Sequence, residues 1–167
     1  MNDVTEEMTM VLANDVQPSD ESIASMLEKA MNDEMLAFWQ YMTCYLMSRG
    51  KGKSDADPEF KEHADEELDH AKKLSQRINE LGGNFCADPC EWVPNSNGFT
   101  PICTSSVQDM LDITIDAEKT AIDFYRRIAK TAHDEGDFST NRLAKQILAD
   151  EEKHLYDLER LKEDIAM

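Results

Sequence analysis

Acidic residues outnumber basic ones 35 to 17 in this chain of 167 residues, giving a formal net charge of -18. A field of that sign repels phosphate backbones and anionic membrane surfaces and concentrates cations, which argues against nucleic-acid binding and against a lipid-surface role. The length suits one domain around one buried core, and 10 methionines against 6 glycines suit helices better than a sheet sandwich.

Residues 1–18 read as an N-terminal tail. It carries Asp3, Glu6, Glu7 and Asp15 but no Lys or Arg, so it is not a DNA-gripping arm. It also lacks the positive start and apolar stretch of a signal peptide, and no apolar run anywhere approaches the roughly 18 residues of a membrane-spanning helix. The expectation is a cytoplasmic protein whose cysteines, Cys44, Cys86, Cys90 and Cys103, are reduced or redox-active thiols rather than a static disulfide framework.

Residues 19–167 read as one all-α domain. The first helix is expected from Ser19 to Arg49, capped by Ser19 or Asp20 and stopped by Gly50 and Gly52. Ile23, Met26, Leu27, Ala30, Ala37, Phe38, Tyr41 and Tyr45 follow helical spacing within it, and Cys44 reads as a small core residue. The second helix is expected to begin near Asp57, with Pro58 in the first turn where its missing N–H costs nothing, and to end at Gly82-Gly83. Gly82 to Thr104, with Pro89, Pro94 and Pro101, reads as a loop; at about two dozen residues it exceeds the usual limit of roughly 12–15. A third helix follows Thr104 or Ser105 and runs to about His133, where Gly136 breaks it, and a fourth runs from about Ser139 to Ile165. The short first and last links make two antiparallel hairpins, and the long middle link can cross the length of a four-helix bundle.

The second and fourth helices each contain Glu-x-x-His: Glu67 with His70, and Glu151 with His154. Residues three apart share a helix face, so each motif can aim an oxygen and a nitrogen at one point. Alone, such a motif in an acidic helix reads as a solvated face. The offset between the two is more telling. Adding 84 to Glu34, Tyr41, Glu67, His70 and Leu74 lands on Glu118, Tyr125, Glu151, His154 and Leu158. Two hairpins related by a pseudo-two-fold axis, each giving half of one site, account for this. Four carboxylates gathered in a core repel one another unless cations neutralise them. Four such charges with two neutral imidazoles balance two divalent ions, and an oxygen and nitrogen set without thiolate suits iron or manganese better than structural zinc. Tyr41 and Tyr125 lie two turns beyond Glu34 and Glu118; they are either core aromatics or groups whose hydroxyls orient ligand carboxylates. His63 and His133 are expected at the surface, where His63, one turn before Glu67, is either a plain surface residue or a group that meets an entering ion.

From Ser19 onward this pattern resembles the ferritin-like superfamily, and within it the bacterioferritins and the Dps-like thioferritins. Glu34 with Tyr41, Glu67-x-x-His70, Glu118 and Glu151-x-x-His154 carry the resemblance. It implies the ferritin-like antiparallel four-helix bundle with one long crossover between helices 2 and 3. It further implies a ferroxidase with two iron ions per subunit, or manganese in their place, using hydrogen peroxide or oxygen and storing Fe(III) mineral in a homo-oligomeric shell. Glu67 and Glu151 would bridge the metals, with Glu34, Glu118, His70 and His154 as terminal ligands. Leu68 stands where bacterioferritins carry a haem-binding Met, so haem is not expected. The end at Met167, without a fifth helix, points to a dodecameric shell rather than the larger bacterioferritin type. The resemblance also leaves Cys86, Cys90 and Cys103 as either plain loop thiols or a redox group near the centre. Two other readings compete: a rubrerythrin-like peroxidase or manganese catalase without storage, and a non-enzymatic interaction bundle, which the charge opposes.

Overall fold

The computed structural model describes residues 21–85 and 88–167. The expected tail, Ser19, Asp20 and Cys86 lie outside the described residues, and the cap of the first helix is Ser22 rather than Ser19 or Asp20. The described chain forms α1 (Ile23–Met47), α2 (Lys53–Glu80), a single-turn α3 (Pro89–Trp92), α4 (Val107–Asp134) and α5 (Phe138–Ala166). The long helices α1, α2, α4 and α5 make the bundle.

Local sequence sets where each helix begins. The Ser22 side chain caps α1 by accepting from the Ser25 N–H at 3.2 Å, Ser106 caps α4 through Asp109 N–H, and Asp137 caps α5 through Thr140 N–H. Such caps satisfy amide donors that the first turn leaves unpaired. The start of α2 differs from expectation. It begins at Lys53, so Pro58 lies inside the helix rather than in its first turn. The reason is Gly52, whose left-handed φ of 84° turns the chain straight into the helix, so that Ala56 N–H already donates to Gly52 O at 2.9 Å. Pro58 then forfeits the one bond it would have made to the carbonyl of Ser54. The expected middle loop also holds a helical turn, α3, which starts on Pro89 and is capped by Asp88.

All neighbouring long helices run antiparallel. Arg49, just past α1, donates its N–H to Ser105 O at 2.9 Å, which ties the end of α1 to the start of α4. Arg77, near the end of α2, reaches Asp137 at 2.9 Å and Thr140 Oγ1 at 2.8 Å at the start of α5. The crossover is fastened along α1: Asn32 Nδ2 donates to Asn95 O, Gln40 Nε2 donates to Thr100 O, and Asn97 donates twice to Asp33.

The core has two apolar ends. One contains Met26, Leu27, Leu74, Tyr125, Ile128 and Ile147; the other contains Tyr41, Phe60, Met110, Leu111, Leu158 and Leu161. Tyr41 and Tyr125 fall at opposite ends, as do Leu74 and Leu158, so the 84-residue offset is visible in the packing. A layer of buried polar side chains lies between them.

Candidate metal centre

That layer contains all six residues expected from the sequence. Glu34 comes from α1, Glu67 and His70 from α2, Glu118 from α4, and Glu151 and His154 from α5. None is more than 3% exposed. Their donor atoms form two overlapping sets. Glu34, Glu67, His70 and Glu151 make one, and Glu67, Glu118, Glu151 and His154 make the other; within each set the atoms lie within 4.8 Å of one another. Glu67 and Glu151 belong to both. The distances repeat across the pseudo-axis. His70 Nδ1 lies 3.0, 3.1 and 3.7 Å from Glu67, Glu151 and Glu34, and His154 Nδ1 lies 3.2, 3.6 and 3.9 Å from Glu67, Glu151 and Glu118.

A second tier fixes these groups from the opposite hairpin. The Tyr41 hydroxyl donates to Glu118 and the Tyr125 hydroxyl donates to Glu34. The outward Nε2 of His70 meets Asp150 at 3.2 Å, and that of His154 meets Glu66 at 2.6 Å. A carboxylate on Nε2 favours a proton there and leaves Nδ1 facing inward, where it becomes a lone-pair donor once deprotonated. Glu66 and Asp150 were missed from sequence, although they too sit 84 residues apart.

The protein's own charges show what this layer needs. Burial, then the charges of Glu151 and Glu67, hold the Glu34 and Glu118 carboxyls well above the usual range. Burial pushes Glu67 and Glu151 the same way, but the His154 and His70 imidazoles, whose Nδ1 atoms lie 3.0–3.6 Å from their oxygens, overcome it and lower both. For the imidazoles, burial acts downward and is outweighed by Glu151 and its neighbours, so His70 is raised and His154 reaches about 12. Protons held on two imidazoles and two carboxyls therefore offset the charge. Even so, Glu67 Oε1, Glu151 Oε1 and His154 Nδ1 have no hydrogen-bond partner, although His154 Nδ1 and Glu67 Oε1 are only 3.2 Å apart. Leaving a buried polar group unpaired costs on the order of 1–3 kcal/mol. Two divalent ions of the iron or manganese kind would satisfy these inward-facing donors, so the residues fit a two-metal group.

Expectation fails at His63. It is fully buried, not a surface residue. It lies four residues before Glu67 and seven before His70, on the inward stripe of α2. Its ring stacks on His154 at 4.1 Å and meets Tyr41 edge-on at 5.1 Å. Burial, then the charge of His154, lowers its pKa to about 3, so the ring is neutral at ordinary pH. Cys44 is buried as expected, its thiol pushed up to about 12 by burial. Cys90 and Cys103 are exposed thiols. Asp88 raises the Cys90 pKa and so disfavours the reactive thiolate there.

Two openings lead towards the layer. A cavity of about 240 Å³ under the crossover is lined by Gln40, Tyr41, Phe99 and Thr100 and reaches Glu34, Glu67, Glu118 and Glu151. An open groove of about 880 Å³ along α2, bordered by Glu62, Asp65, Glu66 and Asp69, reaches His70 and Asp150.

A helical hairpin pair with a carboxylate–imidazole layer defines the class, and the whole-chain comparison agrees: residues 24–167 match the ferritin-like domain model. The chain belongs to the ferritin-like family. Among solved structures it is similar to the dodecameric thioferritin of Bacteroides fragilis, a bacterioferritin-related protein, with 34% identity, a TM-score of 0.83 and 86% of each chain covered. The bacterioferritin of Desulfovibrio desulfuricans is 29% identical over 80% of this chain and 70% of that protein. Dps from Thermosynechococcus elongatus shares the fold at 20% identity and a TM-score of 0.79, covering 83% of this chain and 88% of its own. No helix among the described residues is long and apolar enough to cross a membrane.

Proposed function

We propose that this chain is the subunit of an iron storage and detoxification shell, and that it oxidises Fe(II) at an intrasubunit dinuclear centre. The observation that carries this reading is the buried pair of donor sets sharing Glu67 and Glu151. Glu67 and Glu151, common to both sets, would be shared by the two ions, and Glu34 with His70, and Glu118 with His154, would complete the two positions. As substrate, two Fe(II) give one electron each to hydrogen peroxide, whose O–O bond breaks to yield two waters on uptake of two protons. Taking both electrons in one event avoids releasing a hydroxyl radical; oxygen is the alternative oxidant.

The chain's own residues do the positioning. Tyr41 and Tyr125 hold Glu118 and Glu34, and Asp150 and Glu66 hold the two imidazoles. The apolar ends of the core keep bulk water from the layer, while the cavity under the crossover admits a molecule the size of peroxide. A twelve-subunit assembly is proposed from likeness to the Bacteroides fragilis thioferritin, which is dodecameric. A cytoplasmic location, protection against oxidative stress and a redox role for Cys86, Cys90 and Cys103 belong to the same proposal.

Anaerobic Fe(II) titration followed by peroxide tests it. The expected result is two equivalents bound per chain, rapid oxidation, then mineral growth in a particle of about twelve subunits. Oxidation without mineral, or a preference for manganese, would instead make the chain a rubrerythrin-like peroxidase or a manganese catalase.

A further inference from the structure

The pseudo-symmetry is breached on the inward stripe of α2 at His63. Its mate at the 84-residue offset is Ile147, a fully buried member of the apolar core. Packing at this level of the bundle is therefore served by an alkyl side chain. His63 is 0% exposed, yet neither of its ring nitrogens has a hydrogen-bond partner. The residues that flank it break the symmetry too. Glu59, one turn earlier on α2, corresponds to Leu143, and Asp157 on α5 corresponds to Lys73. One half of the molecule thus carries Glu59, His63 and Asp157 where the other carries Leu143, Ile147 and Lys73.

These three side chains converge. His63 Nε2 lies 3.9 Å from Glu59 Oε2, and donor atoms of Glu59, His63 and Asp157 all fall within 4.8 Å of one another. That spacing is too long for a hydrogen bond. It is the spacing of two donors about 2.0–2.2 Å from a shared ion. Glu59 and Asp157 are half-buried at the rim, and His63 closes the site from inside. We propose that Glu59, His63 and Asp157 form a third, mononuclear divalent-cation site beside the dinuclear centre, with the His63 ring as the wall between them. One imidazole and two carboxylates neutralise a divalent ion and suit Fe(II), Mn(II) or Zn(II). Lys153 sits 3.7 Å from Asp157 and 3.8 and 4.0 Å from Glu62 and Glu66. An arriving cation displaces its ammonium from Asp157 towards those two acids.

His63 also stacks on His154, a ligand of the proposed dinuclear centre. An ion at the third site is thus one ring away from that centre, which makes it a staging position for Fe(II). Only this staging role rests on the proposed function; the binding of a cation does not.

Anomalous diffraction from crystals of the full chain equilibrated with Co(II), a redox-inert probe under these conditions, decides the matter. The expected map shows a peak bonded to His63 and shared with Glu59 and Asp157, separate from the two in the carboxylate layer. In solution, Glu59→Gln with Asp157→Asn should bind one Co(II) fewer per chain than the parent. His63→Ile, which copies the symmetry mate, should do the same. The rim variant keeps the test open if His63→Ile does not fold. Occupied layer positions with nothing at His63, or an ion on His63 shared with Glu118 instead of Glu59 and Asp157, would overturn the inference. So would an unchanged stoichiometry in the rim variant. A peak at His63 with the layer empty would uphold it and sink the dinuclear reading.

Discussion

Tyr41 and Tyr125 each place one hydroxyl on a buried carboxylate of the opposite hairpin. Tyr41→Phe keeps the ring that packs against Phe60 and His63 and removes only the donor. Loss of such an outer partner typically lowers metal affinity or activity by about 10–100-fold. Stopped-flow Fe(II) oxidation should slow by roughly that factor in Tyr41→Phe and Tyr125→Phe alike, and unequal effects would show that the pseudo-symmetry is not functional. The protonation of the layer makes a second prediction. In the metal-free protein His70, His154, Glu34 and Glu118 hold protons, because their pKa values are raised by burial or by neighbouring carboxylates. Divalent ions need all four groups deprotonated, so binding at neutral pH should expel protons, and acid should weaken it because protons compete for the same atoms. A pH-stat titration reads this directly; no proton release would contradict it. The six donors gathered in the layer were legible because identity at a fixed offset survives in sequence. Glu66 and Asp150 share the offset but not identity, and so carry no mark that sets them apart from the chain's other acids. His63 is matched by an isoleucine, Ile147, at the offset, and its only signal is its place on the stripe shared with Glu67 and His70.

At the scale of helices, termini were legible to within a few residues wherever a side chain makes the cap, as with Ser106 and Asp137. The start of α2 was not, because a glycine followed by a proline reads as a break and then a first turn. The structure instead uses Gly52 as the pivot. A side chain there would be strained by φ of 84°, and its Cβ would fall 2.5 Å from Ile165 Cδ1. Gly52→Ala should cost about 1–3 kcal/mol, seen as a Tm lower by roughly 2–4 °C per kcal/mol. Gly50→Ala carries the strain of a positive φ but meets nothing within 4 Å, so it should cost less. The crossover was recognisable by its prolines and length, whereas its fastening to Asn32, Asp33 and Gln40 was not, because those contacts span 60 or more residues.

For the molecule as a whole, composition set the sign of the field, and that sign has a kinetic consequence. A net charge of -18 concentrates Fe(II) at the surface, and salt screens that attraction over a Debye length of about 10 Å at 0.1 M. The rate of Fe(II) oxidation at low iron should therefore fall as inert salt is raised, while the number of ions bound per chain stays constant. A rate indifferent to salt would mean that delivery is not electrostatic. Two-fold internal organisation was legible from the offset. The division of the core into two apolar ends around a polar layer became visible only once the helices were placed side by side.

The crosswise bracing of the layer has a consequence for how this molecule can change. Each hairpin's glutamate is steadied by a tyrosine from the other, and each hairpin's imidazole leans on an acid from the other. Neither pair of helices can be exchanged for a foreign one as an independent module. A chimera that grafts in one relative's hairpin without its matching tyrosine and acid should lose both ion positions together, and restoring the two braces should bring both back.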